Sequence, residues 1–282
     1  MKNHTRMLLL LLSFFAIACS PDLEQLAQDN LYPLKIANKT KVPEAPPENY
    51  TQALLDVAHP DGDMKAHLWA YRNPTDTNAP VIIHFHGNGE NIGSLHKGNF
   101  LKAIERTGFN FVVFDFPGYG KSTGVPSQST IMAGSQAVFE WTRQNFPNSK
   151  IHLWGWSIGS AIAIQTALQN QNVVSSAVFS SPFKNVYSLA VFHFGSMVEK
   201  LSKDWLDRNS WKSNEAAQSI HLPVLLTHGT KDKNIPFQFG KELFLHFPES
   251  SSSFIAYEGS AHADFFSKQQ YWDDLKQFLR SH

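Results

Sequence analysis

Gly155-Trp156-Ser157-Ile158-Gly159 lies between two apolar runs of different character. Lys150-Ile151-His152-Leu153-Trp154 before it is short and reads as a buried strand. Ser160-Ala161-Ile162-Ala163-Ile164-Gln165-Thr166-Ala167-Leu168 after it reads as a buried helix. A serine on a sharp strand-to-helix turn is held at positive φ, and its hydroxyl is pushed out above the sheet. The flanking glycines carry no Cβ, so strand and helix can approach each other closely. The plain alternative is a glycine-rich turn that contains serine by chance. The strand before and the helix after it argue for an exposed nucleophile.

Working outward, short apolar runs alternate with longer helical stretches. Leu54–Ala58 and Met64–Tyr71 flank His59-Pro60-Asp61-Gly62, a hairpin signal. Strands are expected at Pro80–His86, Asn110–Asp115, Val173–Ser180, Pro223–His228 and Ser253–Tyr257. Helices are expected at Ile92–Thr107, Thr130–Phe146, Phe237–Phe247 and Tyr271–His282. This alternation implies an α/β fold with a mostly parallel sheet flanked by helices, its antiparallel edge supplied by the hairpin. Between Ser181 and His221 the alternation fails. Phe194, Met197, Val198, Leu201 and Trp205 recur there at helical spacing, and a small helical cap (about 182–221) is expected over the sheet's C-terminal edge. An ordinary packing helix would carry the same stripe.

The 282 residues suffice for one large α/β domain. Charge balances, with 24 Lys and Arg against 24 Asp and Glu, and no basic run favours nucleic acid. Aromatics at 13% point to a large apolar core. Lys2 and Arg6 precede the apolar run Met7–Ala18, which has the length of a signal-peptide core and is too short to span a bilayer. That run ends in Ala16-Ile17-Ala18-Cys19, and small residues before a cysteine resemble the lipobox of bacterial lipoproteins. The resemblance implies a signal peptide over 1–18, a lipid on Cys19, and a membrane partner held through that lipid. Ser20 is not the aspartate used for inner-membrane retention, so the expected location is the cell envelope, at the outer membrane if the host is Gram-negative. Cys19 is the chain's one cysteine, which excludes an internal disulfide. An ordinary signal peptide with an incidental Cys19 is the alternative. Residues 19–49 carry Pro21, Pro33, Pro43, Pro46 and Pro47 and are expected to form a tether, with the folded domain over 50–282.

A serine hydroxyl needs a base near neutral pH, and the base needs an orienting group. In a strand–turn–helix architecture the partners follow in the order serine, acid, histidine. The strand Pro223–His228 runs into Gly229-Thr230-Lys231-Asp232, and Ser253–Tyr257 into Glu258-Gly259-Ser260-Ala261-His262. Asp232 and His262 therefore lie just past strand C-termini, where open α/β sheets place functional groups. Among 13 histidines, His86 and His228 precede glycine at strand ends, where shaping of the backbone is expected. Asp264 and Glu258 stand too close to His262 in sequence to orient it easily. Two N–H groups should receive the oxyanion: that of Ile158, after the nucleophile, and that of Asn88 in His86-Gly87-Asn88-Gly89-Glu90-Asn91. A plain glycine-rich loop is the alternative there. No nucleotide fingerprint or metal-ligand spacing occurs, so no cofactor and no metal are expected.

Together these stretches, with Asp115-Phe116-Pro117-Gly118-Tyr119-Gly120-Lys121-Ser122 and Gly259-Ser260-Ala261-His262-Ala263-Asp264, resemble the α/β-hydrolase superfamily. More narrowly they resemble its domain-containing serine hydrolases, which include depalmitoylases and lysophospholipid lipases. The resemblance runs from about Leu54 to the C-terminus. It implies the α/β-hydrolase fold, with Ser157 as nucleophile, Asp232 as acid and His262 as base. It also implies that Asp115 and Tyr119 shape a loop beside the site. The expected activity is cleavage of esters or thioesters of small or lipid acyl groups through an acyl-enzyme. Phe183, Tyr187, Phe192, Phe194, Trp205 and Trp211 offer an apolar cap for such a substrate. A serine peptidase or amidase, or a surface binding module without catalysis, are the alternatives.

Overall fold

The computed structural model describes residues 23–282. Eight strands form one sheet: β1 (Tyr50–Val57), β2 (Met64–Tyr71), β3 (Val81–Phe85), β4 (Asn110–Phe114), β5 (Ile151–Trp156), β6 (Val174–Ser180), β7 (Val224–Gly229) and β8 (Ser252–Tyr257). The helices are α1 (Leu23–Leu31), α2 (Leu34–Ala37), α3 (Ile92–Lys97), α4 (Phe100–Glu105), α5 (Gln128–Asn145), α6 (Ile158–Asn170), α7 (Val186–Phe194), α8 (Lys203–Arg208), α9 (Ser213–Ala217), α10 (Phe237–Phe244) and α11 (Gln269–Ser281). The sheet order is β1-β2-β4-β3-β5-β6-β7-β8. The first two pairings are antiparallel, and the rest are parallel. This is the α/β-hydrolase fold, with the antiparallel edge made by the hairpin.

The register lines up the strand ends that matter. Phe85 pairs with Gly155, Trp156 with Ser180, Ser180 with Thr227, and Gly229 with Tyr257. The loops after β3, β5, β6, β7 and β8 therefore leave from one rim. Strands alternate their side chains between faces. Val81, Ile83 and Phe85 join the core under α5 and α6, while Ile82 joins the core under α3, α4 and α11. Helix α11 presents Tyr271, Leu275 and Leu279 to that second core at the spacing of one helical face.

Differences from the expected elements have local causes. Helix α5 starts two residues early because Ser127 caps it: Ser127 Oγ accepts from Thr130 N, and Thr130 Oγ1 accepts from Ser127 N at 2.9 Å. The helix expected over Ile92–Thr107 is two helices. Gly98 ends the first, and Asn99 sits at φ 60° before the second. In the cap the stripe from Phe194 to Trp205 is not one helix either. Gly195 at φ 57° stops α7, a 3-10 turn follows over Gly195–Lys200, and α8 begins after the Ser202 cap.

The segment expected as a tether is instead folded onto the domain over its described part, 23–49. Leu23, Ala27, Leu31 and Leu34 pack against the main core, and Tyr32, Ala37 and Val42 are buried. Pro33 falls between two short helices, and Pro43, Pro46 and Pro47 fall after them. The signal peptide expected over 1–18 and the lipidation site Cys19 lie outside the described residues. Among the described residues no helix is long and apolar enough to cross a membrane.

Candidate active site

Ser157 sits between β5 and α6 at φ 59°, ψ −124°. A left-handed φ at a residue with a side chain costs on the order of 1–3 kcal/mol and persists only where its surroundings enforce it. Here they do. Ser157 N donates to Ser180 O at 2.9 Å, and Ser160 N donates to Ser157 O at 2.9 Å. Ser160 Oγ lies 2.8 Å from both the Gly155 and the Ser180 carbonyl oxygens. A Cβ on Gly155 would collide with the Gly159 backbone, and one on Gly159 with the Phe85 carbonyl. The two glycines are thus required by close approach, and the second brings the loop after β3 against the start of α6.

Ser180 ties this turn to the rest of the rim. Its hydroxyl receives Trp154 Nε1–H at 3.3 Å and Thr227 Oγ1–H at 2.9 Å, and pairs with the Tyr271 hydroxyl at 2.8 Å. Ser160 and Ser180 were not expected as supports. Their signal was present as polar residues inside otherwise apolar elements, since a buried hydroxyl must find a partner.

His262 Nδ1 lies 2.7 Å from Asp232 Oδ2. The imidazole packs against the Trp156 ring at 5.2 Å between centroids. The His262 carbonyl receives Trp156 Nε1–H at 3.2 Å and Ser181 Oγ–H at 3.4 Å. His262 is therefore held by the residue before Ser157 and by the residue after Ser180, the acceptor of the Ser157 amide. Among the described residues the Ser157 hydroxyl makes no hydrogen bond, so the histidine–aspartate contact is closed while the serine–histidine contact is open. Such contacts commonly tighten only when substrate is bound.

Asp232 is buried and fully engaged. Its Oδ1 accepts from Asn234 N and Ile235 N, each at 2.9 Å. Its Oδ2 faces a second histidine, His228, whose Nε2 is 3.3 Å away and 3.0 Å from Ile235 O. Burial pushes the carboxyl up, but hydrogen bonds from His228, His262 and the Ile235 amide outweigh it. The group is held well below the usual carboxylate range. Asp264 is engaged elsewhere, accepting from Ala261 N at 3.2 Å, and Glu258 accepts from Thr230 Oγ1 at 3.1 Å.

Ile158 is the first residue of α6, and the N–H groups of a first turn have no partner within their own helix. Across from it, the loop after β3 is tightly shaped. His86 stacks on Phe116 at 3.9 Å, and its Nδ1–H donates to Gly87 O at 2.7 Å. Gly87 N donates to Glu90 Oε2 at 3.1 Å. Burial pushes the Glu90 carboxyl up to about 7, with the Gly87 N–H pulling the other way. Asn88 is held through its side chain: Nδ2 donates to Asn30 O and Leu31 O at 3.3 Å each. Helix α1 thus pins the loop that carries one expected oxyanion donor. The same segment reaches the cap, since the Tyr32 hydroxyl receives Trp211 Nε1–H at 2.9 Å and lies 3.1 Å from Asn209 Oδ1.

Asp115 is engaged in holding the loops after β3 and β4. Its Oδ1 accepts from Ile92 N at 2.8 Å, and its Oδ2 from Lys121 N at 3.2 Å, with His67 Nδ1 at 2.9 Å. Tyr119 is fully buried beside it. The six cap aromatics divide. Phe183, Trp205 and Trp211 are core, Phe194 is partly buried, and Tyr187 and Phe192 are exposed. Among the described residues no three His, Cys, Asp or Glu side chains gather to hold a metal ion.

A family model described as alpha/beta hydrolase fold matches residues 80–196, which span the loop after β3, Ser157 and α7. This chain has the α/β-hydrolase fold. Among its curated relatives, the lysophosphatidylserine lipase ABHD12 of Danio rerio is 28% identical over 232 residues, 75% of this chain and 61% of that protein. The Xenopus tropicalis ABHD12 is 27% identical over 186 residues, 62% of this chain and 48% of that protein. The chain therefore spans between about half and three-fifths of the length of these relatives. Among solved structures, the Pyrococcus furiosus esterase Pf2001 superposes with TM-score 0.69 at 18% identity, over 87% of this chain and 97% of that one. Ferulic-acid-bound Est1E of Butyrivibrio proteoclasticus does so with TM-score 0.63 at 15% identity, over 80% and 98%. These likenesses carry the fold.

Proposed function

We propose that this α/β-hydrolase is a serine hydrolase that cleaves acyl esters, with lysophospholipid-like esters first among its substrates, and that a lipid on Cys19 holds it at the membrane of a bacterial cell envelope. The observation that carries the catalytic reading is the 2.7 Å His262–Asp232 contact standing beside a serine held at φ 59°. His262 Nε2 takes the Ser157 proton as Oγ attacks the acyl carbonyl. Asp232 holds the imidazole tautomer that leaves Nε2 free to accept. The Ile158 and Asn88 amides donate to the oxyanion. Collapse of the tetrahedral intermediate expels the alcohol, which leaves with the proton returned by His262. Water, activated by the same imidazole, then releases the acid and restores Ser157. The ABHD12 relatives are named lysophosphatidylserine lipases, which supports a lysophospholipid ester over a peptide bond. Thioesters are the second choice, because the acyl-enzyme is the same.

The mechanism is tested with a fluorophosphonate probe. Wild type should label, and Ser157→Ala should not. Equal labelling of the two, or none of wild type, overturns the reading. A panel of lysophospholipids, thioesters and p-nitrophenyl esters of rising chain length then ranks the leaving groups.

A further inference from the structure

Helix α7 departs from the rule that a helix apolar on all sides is buried. No Asp, Glu, Lys or Arg occurs from Asn185 to Val198. Yet of the described residues in α7, Val186 alone is buried. Tyr187, Val191 and Phe192 are exposed, as is Met197 just beyond the helix. Tyr187 and Val191, four residues apart, share one face. The helix is firmly placed all the same. Asn185 caps it by accepting from Ser188 N at 2.8 Å, and His193 Nε2–H donates to Asn234 O at 2.8 Å. Asn234 is two residues past Asp232, so α7 is fixed to the loop of the catalytic acid and leaves its exposed apolar face free.

A second observation says what covers it. At the start of α1, Glu24 Oε1 accepts from Ser202 N at 3.3 Å. The described chain therefore begins beside the cap, four residues past Val198. Cys19 precedes Glu24 by five residues, at most about 18 Å of extended chain. A lipid there would stay within about 18 Å of Glu24, whose carboxylate meets the cap at Ser202.

We propose that this face of α7, with Met197, rests on the phospholipid bilayer that receives the Cys19 anchor, so that acyl substrates pass from the membrane to Ser157 beneath the cap. The proposal rests on the anchor in the function proposed above. The anchor confines the domain to the surface, and the apolar face orients it there.

The test uses the full chain reconstituted into phosphatidylethanolamine/phosphatidylglycerol vesicles. An environment-sensitive fluorophore is attached in Phe192→Cys, in Met197→Cys and, as a control, in Leu245→Cys at the residue after α10, which is exposed outside the cap. Labels at 192 and 197 should shift to the blue and be quenched by spin-labelled lipid, while the label at 245 does neither. Water-like emission at both cap positions overturns the proposal. So does self-quenching between labelled copies without lipid quenching, which would assign the face to a second copy. Label on wild type marks Cys19 as an unmodified thiol and breaks the anchor reading, while the contrast between 192 or 197 and 245 still decides the cap.

Discussion

Below Ser157 the molecule is knit by buried hydrogen bonds; above it, the cap is held largely by apolar contact. The turn that carries Ser157 rests on Ser160, Ser180, Thr227 and Tyr271, whose hydroxyls satisfy one another or backbone carbonyls. Breaking any of these leaves a buried polar group unpaired, which costs about 1–3 kcal/mol. Over α7, by contrast, much of the apolar surface faces outward. The Ser157 turn is thus set by parts that cannot shift cheaply, while α7 is held by its Asn185 cap and the His193–Asn234 bond. Helix α1 and Tyr32 join the two, touching the loop of Asn88 on one side and Trp211 on the other.

The largest expected effect lies in the lower half. Asp232→Asn keeps the shape but favours the wrong imidazole tautomer, and kcat on a soluble ester should fall roughly 10³–10⁴-fold with the fold intact by circular dichroism. A loss of only a few-fold would show that another group orients His262. A smaller effect probes the junction. Asn88→Ala leaves the backbone N–H but releases it from Asn30 and Leu31. Because removing an oxyanion donor altogether costs about 10²–10³-fold, loosening one should lower kcat by roughly 10-fold, with KM little changed. An unchanged kcat would mean that α1 is only packed there.

The smallest effect is on stability. The Glu90 carboxyl is raised from 4.5 to about 7 in the folded protein. Between those values the folded form keeps a proton that the unfolded chain releases, so stability falls as pH rises through that window. Glu90→Gln, whose carbonyl can still accept from Gly87 N, should match wild type in melting temperature at pH 4 and exceed it at pH 8. Parallel melting curves across that range would refute the shift.

The contrast between the halves also separates what could be read from residues alone from what could not. The rim was readable because strands that end together place their loops together, so Ser157, Asp232 and His262 could be ordered from short apolar runs and the residues that follow them. The fold of residues 23–49 was not read, although Leu23, Ala27 and Leu31 recur at helical spacing. Five prolines masked that pattern, and the segment finds partners far along the chain, such as Asn209 and Trp211 for Tyr32. The cap was misread for a related reason. Phe183, Trp205 and Trp211 could not be told from Tyr187 and Phe192 without knowing which faces of the short helices meet the core. His228 was placed as a shaper of backbone and also faces the carboxylate of Asp232, a contact that depends on how the loop after β7 folds back over Ile235.

The bond between Ser180 and Tyr271 has a consequence for the timing of synthesis. Tyr271 belongs to the last helix, and His262 to the loop just before it. A ribosome-bound chain that has exposed everything through Asp232 already contains Ser157 and Asp232, yet has neither His262 nor the Tyr271 prop of the strained turn. On the proposed mechanism the nascent chain cannot attack an ester until His262 and Tyr271 have emerged. Hydrolytic power would then be withheld from the growing polypeptide by the order in which its residues are made.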